Sequence, residues 1–379
     1  MKTLIRHARV ISPDLDCDGA SLLLVNGHIH SVIDPGAPLP AADLVIDAAG
    51  RIAMPGFFDI HSHGADGYDV CGGSPDSISH IARRKLGEGV TTWLPTTLTQ
   101  PSDRLEDIAG NCAAYMASPD FCRVPGLHVE GPFINRKNAG AQNPHFIRPP
   151  DPAELARLHA ICPIRILSLA PELPGACNLI RTAALLGIVT SAAHTSATAA
   201  DITAAQAAGL THLTHFGNAM TPLHHREIGV VGAGLLDDLL KLEIIGDATH
   251  LCPDMLRLLF KLVPIDRLML ITDSIAASWL GDGETTLGGC SVVVKNGIAR
   301  LKESGALAGS TLRYNEGVKN VFEITDQPLH QIVKTTSWNQ AQSLGLSHFG
   351  KLEPGFHADI VLLNADFSIW KTFVGANVC

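Results

Sequence analysis

No stretch of the chain approaches the roughly 20 consecutive apolar residues that a membrane-spanning helix requires. No run of lysine and arginine marks a nucleic-acid or anionic-membrane contact. The formal charge is −9, so an anionic substrate needs a local cationic pocket against an unfavourable overall field. Cysteine is scattered, nine residues without a Cys-x-x-Cys pair. That usage excludes a disulfide framework or a zinc ribbon and fits reduced, mostly buried thiols in a cytoplasm. The opening Met1-Lys2-Thr3-Leu4-Ile5-Arg6-His7 puts charges where a secretory signal has its apolar core. Low-complexity tracts and solenoid periods are missing too. What is present is apolar: 46% hydrophobic residues and a mean hydropathy of +0.19 describe a well-buried globular chain. At 379 residues it accommodates one barrel-type domain plus a small appendage.

The two chain ends read as short strands. Leu22–Val25 meets His28–Val32 across Asn26-Gly27, a hairpin signal, and Leu44–Ile46 follows. Three strands cannot bury their faces alone, and Ala358–Leu363 and Trp370–Val374 offer the missing partners. A small β-sandwich from residues 1–53 and 350–379 is therefore expected.

Between them, residues 54–349 alternate. Strand-like runs fall at Met54–Ile60, Thr91–Pro95, Val124–Val129, Ile166–Leu169, Ile188–Ala192, Leu210–Thr214, Lys241–Ile245 and Arg267–Ile271. Helical patterns separate them at Ser77–Glu88, Asp103–Met116, Pro152–Ala160, Ala176–Leu186, Ala197–Ala208 and Pro253–Leu262. Such alternation implies an α/β fold, a (β/α)8 TIM-like barrel, rather than an open sheet. A β-hairpin around Asn296-Gly297, near 284–300, reads as an insertion after the last strand.

Active sites of such barrels lie at the C-terminal ends of the strands. Strand one ends in His61 and His63, whose i, i+2 spacing turns both imidazoles to one face. Strand three ends in Glu130, strand five in His194, and strand six in His215 followed by Asn218. Asp247 and His250 follow strand seven, and Asp273 closes strand eight. Any one of these reads as a helix cap or a satisfied core histidine, but six strands repeating the placement read as a metal-dependent hydrolase. Glu130, His194 and His215 make an N/O ligand set with an open position. His61 and His63, sharing Glu130, offer a second ion site, and Asp273 is the free carboxylate able to take a proton. Zinc, iron or manganese suits this set, with zinc preferred.

Several runs go further. Gly89–Thr96, His128–Phe133, Ala193–Thr195, Thr214–Met220, His224–Glu227, Ile271–Asp273 and Leu307–Thr311, with Pro55–Gly64, cover the chain in order. With them the sequence resembles the N-acetylglucosamine-6-phosphate deacetylases of the amidohydrolase superfamily. The resemblance implies Glu130, His194 and His215 as metal ligands and Asp273 as general acid/base. It also implies Asn218, Ala219, Arg226, His250 and the turn of Leu307, Ala308, Gly309 and Ser310 as sugar-phosphate contacts, with Ala141 and Gln142 at another contact position and Asp247 beside them. It implies a homodimer too, with Arg226 where the phosphate pocket meets the second subunit. Many members carry histidine where this chain has Gln142, which donates a hydrogen bond but is never cationic. Retention of both His61 and His63 favours a second ion.

Three rivals stay open. N-acetylgalactosamine-6-phosphate differs from the glucosamine substrate at one hydroxyl, which sequence does not discriminate. A cyclic amidase of the dihydroorotase kind lacks support, because Ile166-Leu167-Ser168-Leu169 carries no lysine for a carbamylated bridge. A non-catalytic relative would be expected to lose ligands, and here the set is whole.

Overall fold

Strands from both ends of the chain meet in one sheet beside the ring. In the computed structural model, which describes residues 1–74, 76–375 and 377–378, β1 (Lys2–Ser12), β2 (Leu15–Val25), β3 (His28–Ile33), β4 (Leu44–Asp47) and β5 (Ile52–Pro55) open the chain. The ring follows with β6 (Phe57–Ser62), β7 (Val90–Thr97), β8 (Leu127–Glu130), β9 (Ile164–Leu169), β10 (Val189–Ala192), β11 (Leu210–Leu213), β12 (Lys241–Ile245) and β13 (Leu268–Ile271). An insertion supplies β14 (Gly283–Leu287), β15 (Cys290–Lys295) and β16 (Ile298–Leu301). The chain closes with β17 (Ile360–Leu363), β18 (Ile369–Val374) and β19 (Asn377–Val378).

The terminal strands build one mixed sheet, β19-β18-β17-β5-β1-β2-β3, with β4 beside β1. It closes over a core of its own that includes Ile5, Val10, Leu22, Leu24, Ile360 and Leu362. The strand read as Met54–Ile60 splits at Gly56. Ile52–Pro55 pairs with β17, and Phe57 begins the ring. A Cβ on Gly56 would lie 2.2 Å from the Thr91 side chain, so this crossing point admits only glycine.

Ring strands pair in parallel and in sequence order from β6 to β13. Helices α1 (Asp76–Leu86), α2 (Ser102–Ala117), α3 (Pro152–Ile161), α4 (Ala176–Leu185), α5 (Ala199–Ala208), α6 (Gly229–Leu236) and α7 (Pro253–Leu262) connect them, and α8 (Tyr314–Thr325) follows the insertion. Phe57, Val90, Trp93 and Leu127 belong to the large apolar cluster that these helices cover. Phe58, Ile60, Leu94, Ile166 and Met269 form a separate cluster with Ala341 beneath the site. The ring is fastened between β6 and β13 just past their ends, where Asp273 N–H donates to His61 O at 2.9 Å and His63 N–H to Ser274 O at 2.8 Å.

The expected hairpin is a three-stranded meander, β14-β15-β16. Its Leu287, Val292, Val294 and Ala299 pack with Leu98, Ile275 and Ala308, which sets it as a wall beside the mouth of the ring. Among the described residues, no helix is long and apolar enough to cross a membrane.

Candidate active site

Three site residues share one backbone device. His194, His215 and Asp273 each stand two positions past the last residue of their strand and take left-handed φ values of 45°, 31° and 51°. Such a residue costs about 1–2 kcal/mol against the ordinary regions, so packing around it must hold it there. The turn directs the side chain across the mouth instead of back into the helical layer. On strand one a bulge does the same task. The β6–β7 register shifts between Asp59 and Ser62. Asp59 accordingly faces α1, while His61 and His63 both reach the mouth.

The convergence is tight and buried. Glu130 Oε1 lies 3.1 Å from His215 Nε2 and 3.2 Å from His194 Nε2, and these two nitrogens are 3.3 Å apart. Glu130 also reaches His61 Nε2 at 3.5 Å and His63 Nε2 at 3.4 Å, each through a different oxygen. Asp273 Oδ1 stands 3.1 Å from His63 Nε2 and 3.6 Å from His61 Nε2. Of the residues read as ligands, Glu130, His194 and His215 form one buried donor group, and His61 and His63 form a second together with Asp273, the residue read as the free carboxylate; Glu130 reaches both groups.

Their electrostatics call for a cation. Burial opposes charge on all of them, yet His61, His194 and His215 hold the Glu130 carboxyl well below the usual range. Burial likewise disfavours ionised Asp273, but the His63 hydrogen bond and His61 take its pKa down to about 2. In turn, burial lowers His61 while Glu130 and Glu243 more than offset it, lifting the imidazole to about 10. The buried carboxylates thus retain a proton on His61, and a divalent ion replaces such a proton on binding. His61 Nε2 has no hydrogen-bond partner, as a nitrogen reserved for a metal requires. The donor set fits a metal.

Glu243 on β12 escaped the sequence reading. Its Oε2 accepts from His61 Nδ1 at 2.9 Å and from the His215 N–H at 3.3 Å, fixing the tautomer that leaves His61 Nε2 free. The signal was an acid inside the apolar strand Lys241-Leu242-Glu243-Ile244-Ile245. His128 also clusters with His61 and Glu243, but both its nitrogens are spent, on Ile60 O and Ser168 Oγ at 2.8 Å each. Burial holds it neutral. His128 is a support, not a ligand. The Asn138 carbonyl performs the same service for His194, accepting from Nδ1 at 2.8 Å.

A cavity of about 340 Å³ opens over these groups, lined by His63, Glu130, Ala141, Gln142, His194, His215, Asn218, Ala219, His250, Asp273, Leu307 and Gly309. Other contact residues lie elsewhere. Asp247 and Ser310 face a neighbouring polar cavity of about 300 Å³ that shares His250. Asp247 accepts from His250 Nδ1 at 2.7 Å and so acts through that ring. Ala308 is fully buried behind the turn. Arg226 lies on an exposed loop, where its guanidinium donates to His225 Nε2 at 2.7 Å, outside the cavity of the single chain. One N–H of the Gln142 amide donates to Glu130 Oε2 at 2.5 Å and its oxygen accepts from Thr99 N–H at 2.6 Å, which leaves the second amide N–H for a ligand in the cavity that Gln142 lines.

Ring and site define a class, the barrel hydrolases that gather imidazoles and carboxylates around a metal at the strand ends. A profile of the amidohydrolase family matches residues 52–379. The chain is 36% identical to the N-acetylglucosamine-6-phosphate deacetylase of Bacillus subtilis, over 99% of this chain and 96% of that one. It is 34% identical to the N-acetylgalactosamine-6-phosphate deacetylase of Escherichia coli O157:H7, over 99% and 98%. The solved structure of a mutant N-acetyl-D-glucosamine-6-phosphate deacetylase from Mycobacterium smegmatis, in complex with N-acetyl-D-glucosamine-6-phosphate, superposes with a TM-score of 0.93 at 28% identity, covering 100% and 99%. The chain belongs to the amidohydrolase family and, within it, to the N-acetylglucosamine-6-phosphate deacetylase family.

Proposed function

We propose that this protein is a metal-dependent deacetylase of a phosphorylated N-acetylhexosamine, with N-acetylglucosamine-6-phosphate as the preferred substrate. One observation carries the reading: Glu130, His194 and His215 converge on a point that Asp273 faces from across the open cavity. A divalent ion held there, zinc by preference, supplies Lewis-acid polarisation and a more acidic water. The chain's own residues do the rest. Asp273 takes a proton from the attacking water as its oxygen bonds to the acetamide carbon. When the C–N bond breaks, Asp273 returns that proton to the nitrogen, giving the free amine and acetic acid, which becomes acetate as its remaining hydroxyl proton passes to solvent. Gln142 holds Glu130 in place, and Glu243 does so for His61. Asn218, Ala219, His250 and the Leu307–Gly309 turn contact the sugar phosphate, and Arg226 reaches the phosphate of a partner subunit in a homodimer. The reading places the enzyme in a cytoplasm, supplied with its substrate by a reaction that phosphorylates an N-acetylated sugar.

The second reading is the same reaction on N-acetylgalactosamine-6-phosphate, favoured by the similar identity to the Escherichia coli relative. A cyclic amidase fits less well, since β9 has no lysine. Acetate release from the two phosphosugars, measured side by side, tests the assignment. Faster turnover of the glucosamine compound is expected, faster turnover of the galactosamine compound would select the second reading, and acetate from neither would end both.

A further inference from the structure

Among the buried groups that the proposed chemistry leaves unused is one ammonium. Lys85, on α1, is fully buried. Its Nζ lies within reach of four acceptors: Asp59 Oδ2 at 2.9 Å, Ser274 Oγ at 2.9 Å, Glu88 Oε2 at 3.1 Å and Thr272 Oγ1 at 3.2 Å. Two of the four, Thr272 and Ser274, are the immediate neighbours of Asp273. The others extend the grip. Asp59 accepts from Thr272 Oγ1 at 2.6 Å and from Thr272 N–H at 3.3 Å. Ser274 Oγ bonds Ser62 Oγ at 2.9 Å, next to His61 and His63. Glu88 accepts from Trp279 Nε1 at 2.8 Å and from Tyr314 N–H at 3.1 Å, anchoring the cluster from its far side.

Such a buried ion group is a poor source of net stability, so its location is the informative part. It sits behind the seam where β6 and β13 meet, at the one strand-eight residue held with φ at +51°. We propose that Lys85 is a positioning residue: by clamping the hydroxyls on both sides of Asp273, it holds that carboxylate in its left-handed turn, opposite His61 and His63. A displacement of about 1 Å at a reacting group can cost around 100-fold in rate.

The inference rests on Asp273 as the proton carrier, and the test separates the two. In the full-length, metal-loaded enzyme, Lys85→Met removes the clamp, Lys85→Arg keeps the charge, and Ser274→Ala removes one hydroxyl without stranding a buried charge, should Lys85→Met fail to fold. Turnover of N-acetylglucosamine-6-phosphate is measured per folded, metal-bearing chain. Expected are a kcat about 100-fold lower for Lys85→Met and about 10-fold lower for Ser274→Ala, with KM and metal content unchanged and partial recovery in Lys85→Arg. In an Asp273→Asn background the same substitutions cause no further loss, the non-additivity of groups acting as one. Full kcat in Ser274→Ala and Lys85→Met, or losses that track metal content or add to those of Asp273→Asn, would overturn the inference alone. Normal turnover by Asp273→Asn would overturn the proton-carrier reading, and the inference with it.

Discussion

A metal-ligating histidine almost always has its other nitrogen hydrogen-bonded, and His61 illustrates the pattern. Glu243 takes Nδ1, which leaves Nε2 facing Glu130 and Asp273. Glu243→Gln should therefore weaken metal binding at the His61–His63 group by about 10- to 100-fold, read as metal retained per chain during dialysis against a graded chelator. Retention equal to the parent would refute that support. Asp273→Asn removes the proposed proton carrier and keeps the shape. A fall in kcat of about 100-fold or more, with metal still bound, is the expected outcome. A pH effect belongs to His250. Burial pushes its pKa down, but the Asp247 hydrogen bond prevails and raises it. Asp247→Asn lowers the pKa again, so the ring loses its charge at a lower pH. KM for the phosphosugar should begin to rise at lower pH than in the parent, in KM measured across a pH series. Residues of this kind differ in legibility. Glu130, His194 and His215 could be read because each ends an apolar run. Glu243 and Lys85 could not, since a lone polar residue inside a strand or helix does not name its partner.

Among elements, those with a clear hydrophobic period were legible. The β9, β10 and β12 runs and the amphipathic α7 were found within a residue or two. Helix α6 was not found. Its Gly229-Val230-Val231-Gly232-Ala233-Gly234 run has no amphipathic period, and its glycines serve packing, as Gly234 has no room for a Cβ beside Leu213 and Phe216. The turn after β16 obeys a similar constraint. A Cβ on Gly309 would meet Ile275 Cγ2 at 2.4 Å and the Asp273 carbonyl at 2.9 Å, at a φ of +55°. Gly309→Ala should destabilise the fold by about 1–3 kcal/mol and depress kcat more than Gly187→Ala, a change at the turn after α4 where an added Cβ meets nothing within 4 Å. Denaturant unfolding together with turnover checks both halves. The strand break at Gly56 was hidden for a related reason: both halves are apolar, and only tertiary pairing assigns Met54 to one sheet and Phe58 to the other.

For the whole molecule, the two chain ends and the ring are one construction. Val361 and Leu363 of β17 share the large core with Phe57 and Val90 of the ring. Arg123 also reaches from the ring to Asp359 at 2.8 Å. The alternation of apolar runs and amphipathic helices announced this architecture, whereas the fastening of the seam depends on contacts between residues more than 180 positions apart, as in Lys85 with Thr272 and Ser274. The central claim is that distant residues gather around a shared ion that the reaction needs. Its most direct test is the metal content of protein purified without added metal, measured by mass spectrometry beside acetate release from N-acetylglucosamine-6-phosphate, for the parent and for His194→Ala. The account predicts bound divalent metal in the parent, loss of metal and of acetate release together in the variant, and activity that falls and returns with chelation and refilling. Undiminished acetate release from metal-free protein would contradict it.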